Sequence, residues 1–450
     1  MTSTAEGGSE IDADDAFLQI VTAIDDLFEK TGRIRDEIMA VAQCAFWHSL
    51  LGIDAKGKPT TKVFGWADTR SREHVATLRK RFDETEAHNR TGARFHSSFW
   101  PAKLLWYQKE HPAIFARTDK WLSLSDYVLA KLTGELGTSV SMASATGIFD
   151  IRKCVWDASL IKFLKVKANN LPPLAGNSEI FRLNTKFARR WPRLADAKWL
   201  PSIGDGAANN IGAGCVKRSK AALMIGTSGA MRIAFKGEPP EKIPAGLWCY
   251  RIDRERVIIG GALSDGGGLY RWLRDNLRVD DSVDMKIAGR LPDGHGLTFL
   301  PFLAGERSTG YHEFATGAVL GLRPNTDAVD ITQAAMESVA HRFAEIFDQL
   351  KTVTRINEIV ASGGALRESQ VWTQIIADVL GRNISLIDAR EASMRGAVLL
   401  GLETIGKIKN IERIRPNLGR MFTYERTRNT SYRKARARHR TLYRLFLNTE

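Results

Sequence analysis

Asp205 stands between two glycines at the head of a small-residue segment, Ile203-Gly204-Asp205-Gly206-Ala207-Ala208. Further on, an apolar run ends in Gly226-Thr227-Ser228-Gly229 and resumes as a second apolar run. The first feature offers a carboxylate that can accept a proton. The second offers backbone amides and hydroxyls that can surround phosphate oxygens. Transfer of a phosphoryl group to a hydroxyl needs both parts. Each part has a plainer reading. Asp is a favoured helix cap, and a short Gly-containing link between two apolar runs is an ordinary hairpin turn.

These residues need elements to position them. Apolar positions Phe17, Ile20, Val21, Ile24, Leu27 and Phe28 recur at helical spacing and predict an amphipathic helix over 13–30. A strand is predicted over 37–53, leading into Trp47-His48-Ser49. Helices are predicted over 72–82, 100–118 and 123–133. The Pro- and Gly-containing stretch 171–205 reads as loop, with a strand near 198–203. From about Lys217 the pattern changes to strands at 221–226, 230–235 and 256–262. Helices follow at 267–277, 330–351, 368–381 and 392–405. The change predicts a domain boundary at 215–220, dividing the chain into 1–216 and 217–450.

The bulk properties set outer bounds. At 450 residues, 44% hydrophobic and 26% charged, the chain has the profile of a globular protein of two or three domains. It contains no apolar run of about 18 residues, so no membrane span is expected. The start, MTSTAEGGSEIDADD, lacks the basic and apolar regions of a secretory signal. Cys44, Cys154, Cys215 and Cys249 are far apart and fit no metal spacing, so free thiols in a reducing, cytoplasmic setting are expected, with no metal held by the protein. The net charge is +14, with much of the excess between Arg413 and Arg444. A solvated basic helix is expected there. A nucleic-acid surface is the alternative, but no aromatic platform accompanies the charge and no nucleic-acid partner is expected.

Taken together, several segments give the chain a resemblance to the FGGY carbohydrate kinases of the actin-like ATPase superfamily. They are Trp66-Ala67-Asp68-Thr69-Arg70, Ala102-Lys103-Leu104-Leu105-Trp106, Ser144-Ala145-Thr146-Gly147, Leu303-Ala304-Gly305-Glu306-Arg307 and Ser362-Gly363-Gly364-Ala365. The most specific is Gly317 to Leu322, then seven residues, then Asp330 to Glu337, which is similar to the family's C-terminal signature. The resemblance runs from about residue 10 to about residue 405. The Trp-His-Ser loop and the Ser144 to Asp150 run look most like the gluconokinase branch, with xylulokinases next.

The resemblance implies an α/β fold of two actin-like, ribonuclease H-like domains with a cleft between them. It implies Asp205 as catalytic base, and Gly226, Thr227, Ser228 and Gly229 as a phosphate-binding hairpin. Ser264, Gly266, Gly267 and Gly268 would form another nucleotide-side loop, with Gly305 beside it. Gly363, Gly364 and Ala365 would lie against the adenosine. Trp47, His48, Trp66, Asp68 and Arg70 fall at sugar-side positions, and Arg70 or Arg307 could pair with the carboxylate of a sugar acid. ATP and Mg²⁺ are the implied cofactors, a sugar or sugar acid the substrate, and a homodimer is left open.

One part of the family pattern is missing. Members open with a strand and turn of the type Asp-x-Gly-Thr-Ser, a first phosphate loop whose Asp helps hold Mg²⁺. This chain has no such motif, and Glu6-Gly7-Gly8-Ser9-Glu10 does not replace it. The expectation is an N-terminal domain truncated at its start, lacking three strands and baring a sheet edge. Impaired activity or solubility would follow, or a non-catalytic sugar-binding role.

Overall fold

The computed structural model describes residues 2–4, 6–32, 37–176, 179–277 and 279–447. Its organising element is a seven-stranded sheet in the second half of the chain. In spatial order the strands are Trp248–Arg251, Arg256–Leu263, Gly229–Lys236, Lys220–Ile225, Glu358–Ser362, Ile384–Ile387 and Leu418–Phe422. The hairpin side is antiparallel. Lys220–Ile225, Glu358–Ser362 and Ile384–Ile387 run parallel.

Side chains alternate across this sheet with period two. Ala221, Leu223, Ile225, Ile359 and Ala361 face one core, completed by the helices Ala328–Val353 and Gln370–Leu380. Ala222 and Val360 face the other side, against Ala213, Cys215 and Ala392. Both faces are therefore covered, as parallel strands require.

The first half is mostly helical, with short strands. Ala40–Val41 runs parallel to Lys198–Trp199, and Cys44–Ala45 parallel to Ile203–Gly204. Among the described residues, Ala40–Val41 and Cys44–Ala45 pair on one side only. The strand expected over 37–53 is thus three pieces, the last being Leu51–Ile53. The break falls where His48 adopts φ 69, which no strand accommodates. The helix expected over 100–118 divides into Trp100–Glu110 and Pro112–Arg117, because Pro112 cannot continue the ladder of amide hydrogen bonds. The helix at 13–30 is present as Ala13–Lys30, capped by Asp12. No helix among the described residues is long and apolar enough to cross a membrane.

One correction concerns a charged segment. The C-terminal helix Arg426–Leu447 is docked, not solvated on all sides: Tyr432, Ala435 and His439 are buried. Arg436 and Arg440 both bridge Glu345 and Asp348 on the helix Ala328–Val353. The Glu6 to Glu10 stretch forms a turn and the strand Ser9–Ile11, which pairs with Val63–Phe64.

The helix Asp205–Gly212 crosses Ala392–Thr404 at backbone contact. A Cβ on Gly396 would sit 1.8 Å from the Ala208 carbonyl oxygen, and one on Gly212 would sit 1.8 Å from that of Ala392. Neither carbonyl can yield without moving its helix. Gly396→Ala is expected to destabilise the chain by about 3 kcal/mol or more, beyond ordinary overpacking. Thermal unfolding checks this: a melting temperature matching the parent's would contradict the crossing.

Candidate active site

The strand Ile203–Gly204 delivers the chain into the helix Asp205–Gly212, whose cap residue is Gly204 and makes no side-chain cap. Asp205 is therefore the first helical residue and not the cap, which removes the plainer reading of this acid. Its Oδ1 accepts the Gly206 amide at 2.7 Å, and Ser393 Oγ donates to its carbonyl at 3.3 Å. No side chain among the described residues hydrogen-bonds the carboxylate. Burial pushes its pKa above the ordinary carboxylate value, opposed by Arg232, the Gly206 amide and Arg307.

The two glycines flanking Asp205 make room for Trp47. A Cβ on Gly204 would meet the indole at 1.8 Å, and one on Gly206 would meet it at 2.5 Å. Trp47 is itself buried, with Nε1 donating to the Ser141 carbonyl at 3.2 Å. Its ring meets Trp248 and Tyr250 edge-on at 5.8 and 5.3 Å. Trp47 is thus the floor beneath Asp205, its ring buried in contacts with protein.

His48 lies next to this floor. Its left-handed backbone is the kind of strain that surrounding contacts must hold in place. Lys103 supplies one: its buried Nζ donates to the His48 and Gly65 carbonyls, both at 2.8 Å. His48 Nδ1 lies 2.6 Å from the Ala145 carbonyl oxygen. Burial lowers the imidazole pKa to about 3, so the ring is neutral and Nδ1 carries the hydrogen. The Nε2 acceptor has no protein partner among the described residues.

Trp66 also belongs here, with the Arg307 guanidinium 4.4 Å over its ring. Asp68 and Arg70 do not. Arg70 is spent on Asp68 at 2.6 Å and Glu10 at 2.9 Å, and lies over the Phe64 ring at 4.0 Å. Asp68 also accepts the Ser9 amide at 2.9 Å. These two residues lock the strand Ser9–Ile11 to the segment after Phe64. Arg70 accordingly has no free fork for a substrate carboxylate. The mutual satisfaction of the pair lies in contacts to residues sixty positions away, which motif reading does not reach.

On the nucleotide side the Gly226 to Gly229 turn joins the strands Lys220–Ile225 and Gly229–Lys236. Thr227 and Ser228 keep their amides and hydroxyls free of protein partners among the described residues, while Gly226 donates to the Ser228 carbonyl at 3.0 Å. Gly266, Gly267 and Gly268 instead spend their amides on the turn: Gly267 donates to Gly226 at 2.8 Å, and Gly266 and Gly268 to Thr227 at 3.2 and 2.9 Å. Their backbones brace the turn from behind. Ser264 precedes this brace, and the neighbouring Asp265 accepts the Ala304 amide at 3.3 Å. Gly305 has φ 72 and lies close to Glu313.

Gly363 is fixed by geometry. At φ 105, its Cβ would fall 2.2 Å from the Ile225 carbonyl oxygen, so only glycine fits between the parallel strands. Gly364 and Ala365 open the short helix Gly364–Glu368. Asn209 donates to Ser362 Oγ at 3.1 Å. The Asp205 helix therefore touches the strand Glu358–Ser362 directly, and through Asn210 and the Arg232 carbonyl at 3.3 Å it touches the strand that starts at the turn.

Sequence reading missed Arg232, buried beside Asp205, and Tyr250, buried near Arg232. The one available signal was a lone arginine inside the apolar strand Gly-Ala-Met-Arg-Ile-Ala-Phe. A separate cavity of about 390 Å³, lined by Gln43, Ser141, Ser202, Arg256 and Glu403, contains none of the predicted site residues.

Comparison with known proteins agrees with this architecture. Residues 1–194 match the model of the FGGY family of carbohydrate kinases, N-terminal domain, and residues 221–404 that of its C-terminal domain. The chain is 30% identical over 421 residues to the gluconokinase of Bacillus subtilis, covering 89% of this chain and 80% of the relative. It is 26% identical to the xylulose kinase of Staphylococcus xylosus, covering 78% and 74%. The crystal structure of gluconate kinase from Lactobacillus acidophilus superposes with a TM-score of 0.90 at 25% identity, covering 99% of this chain and 91% of that one. With both halves matched and the two-domain fold shared, the chain belongs to the FGGY family of carbohydrate kinases.

Proposed function

We propose that this carbohydrate kinase transfers the γ-phosphoryl group of ATP to a hydroxyl of gluconate, with Asp205 as the base. The observation that carries the reading is Asp205 itself: a carboxylate with no side-chain hydrogen-bond partner, held at the head of a helix that also touches both strands of the nucleotide side. The gluconate assignment is supported by the relatives named above.

In this reading residues 1–216 carry most of the sugar contacts and 217–450 most of the ATP contacts. The substrate hydroxyl donates to Asp205, which takes its proton as the bond to phosphorus forms. His48, neutral with Nε2 free, accepts from a neighbouring hydroxyl, and Trp66 walls the sugar side. The free amides and hydroxyls of Thr227 and Ser228 fit phosphate oxygens. Mg²⁺ brought in with ATP would neutralise part of the charge of its phosphates. Closure of the cleft would keep water from taking the phosphoryl group.

Sugar-dependent ADP release is the test. Gluconate is expected to give the highest kcat/KM in a panel with xylulose, ribulose and glycerol. A preference for any of the other three would remove the gluconate assignment, and no sugar-dependent release would remove the kinase reading of this site.

The pH profile follows from the same residue. A base must be ionised, and burial raises the pKa of Asp205 above 3.8. Activity is therefore expected to fall on acidification while ordinary carboxylates are still charged. The acid limb of kcat/KM should lie above about pH 4. A profile flat down to that pH would contradict the assignment.

A further inference from the structure

Arg232 presents a charge with nothing to hold it. The residue is 6% exposed, and its guanidinium makes no hydrogen bond or ion pair among the described residues. Nε and Nη1 are both fully enclosed without a partner. A buried guanidinium in this state is costly unless something pairs with it. The neighbours repeat the pattern. Tyr250 Oη and Arg307 Nε are also enclosed and unpartnered. Arg307 donates through Nη2 to the Leu263 carbonyl at 2.9 Å and lies over Trp66. Tyr250 stacks on Trp248 at 4.4 Å and meets Trp47 edge-on.

These groups share one place. A Cβ on Gly206 would lie 3.1 Å from Arg232 Nε, so the guanidinium is against the first turn of the Asp205 helix. Asp205, Arg307 and Tyr250 are the charged or titratable groups that act on it. Asp205 is near but not hydrogen-bonded to it, and Asp265, near Arg307, is occupied by a backbone amide.

We propose that Arg232, assisted by Tyr250 and Arg307, receives the carboxylate of the sugar substrate and makes this kinase selective for aldonates over neutral sugars. This rests on the kinase reading above and names its substrate class. A planar guanidinium fork matches a carboxylate in two parallel hydrogen bonds. A neutral sugar offers only hydroxyls and leaves the charge unpaired. The phosphates of ATP are the other anion at hand. They belong at the Gly226 to Gly229 turn, and Arg232 stands three residues further along the strand, about 10 Å away at strand spacing.

The probes are D-gluconate and D-glucitol, identical except that glucitol carries a hydroxymethyl group in place of the carboxylate. Binding of each to the full chain is measured by calorimetry without nucleotide, for the parent, Arg232→Met and Arg232→Lys. The parent is expected to favour gluconate by about tenfold or more. Arg232→Met should abolish that preference. Arg232→Lys, which keeps the charge at a site that suits the fork, should restore part of it and also report on folding through its melting temperature. Equal or undetectable binding of the two probes by the parent would overturn the proposal. So would a preference that survives in Arg232→Met, or a kcat effect without any change in gluconate binding, which would place Arg232 on the phosphoryl group. If no sugar supports ADP release yet the gluconate preference is present and depends on Arg232, the kinase reading fails and the carboxylate site stands.

Discussion

An Asp205→Asn chain is expected to bind sugar and nucleotide as the parent does and to lose about 10²- to 10⁴-fold in kcat, the range attributed to a positioned base. The substitution is nearly isosteric. The Asn Oδ1 can still accept the Gly206 amide, which is 2.7 Å from the carboxylate in the parent. The glycine contacts with Trp47 involve no atom of residue 205. What changes is the ability to take a proton, because an amide cannot. The loss should therefore appear in kcat and leave KM for the sugar little altered. ADP release and calorimetric binding on the same preparation separate the two. A kcat within a few-fold of the parent would remove Asp205 as the base, whatever its effect on binding.

The second large effect lies at the far end of the chain. Ending the protein at residue 425 is expected to prevent stable folding, even though the lost segment is mostly arginine, lysine and polar residues. The helix Arg426–Leu447 buries Tyr432 and His439 against the helix Ala328–Val353. Four hydrogen-bonded contacts join Arg436 and Arg440 to Glu345 and Asp348. Tyr443 donates to Glu306 at 2.8 Å, and Glu306 is the buried ion-pair partner of Arg342. Each fully buried side chain is worth about 1.5–3 kcal/mol. Uncovering the helix face beneath exposes as much again. The sum is a large part of the 5–15 kcal/mol that holds an average domain together. Soluble yield and thermal unfolding of the shortened chain are the measurements. A shortened chain that melts within a few degrees of the parent would show that the helix is an appendage. Tyr443→Phe isolates one strand of the argument: it should cost about 1 kcal/mol by removing the hydrogen bond to Glu306.

The parts of this site that depend on local chain chemistry were legible in the sequence. Asp205 between glycines, the Gly226 to Gly229 link and the Gly363-Gly364 turn are each defined by neighbours in the chain, and glycine spacing reports backbone approach directly. The parts that depend on distant partners were not. Asp68 and Arg70 have the types of sugar-binding residues, yet Glu10 and the Ser9 amide satisfy them. The tail arginines read as a solvated face because their acidic partners lie some ninety positions earlier. Gly266 and Gly267 read as a second nucleotide-side loop, and nothing in their spacing showed that their amides close onto the neighbouring turn. Arg232 is the converse case. Inside an apolar strand it carried no motif, and only its enclosure without a partner marks it out.

The backbone crossing at Gly212 and Gly396 bears on how this protein can diverge. The place of Asp205 is set there by the close approach of two backbones, which the absence of two methyl groups permits, with Ser393 and Arg395 bonding across the crossing. The exposed residues of the helix Ala392–Thr404 can then drift in size and polarity without moving the acid, provided the buried Ala392, Ala397 and Gly401 stay small. A saturation mutagenesis map of the two helices should look strongly uneven: two intolerant columns at the glycines, and broad permissiveness along the exposed positions around them. Descendants of such a chain could rebuild much of that surface while the catalytic geometry stayed where it is.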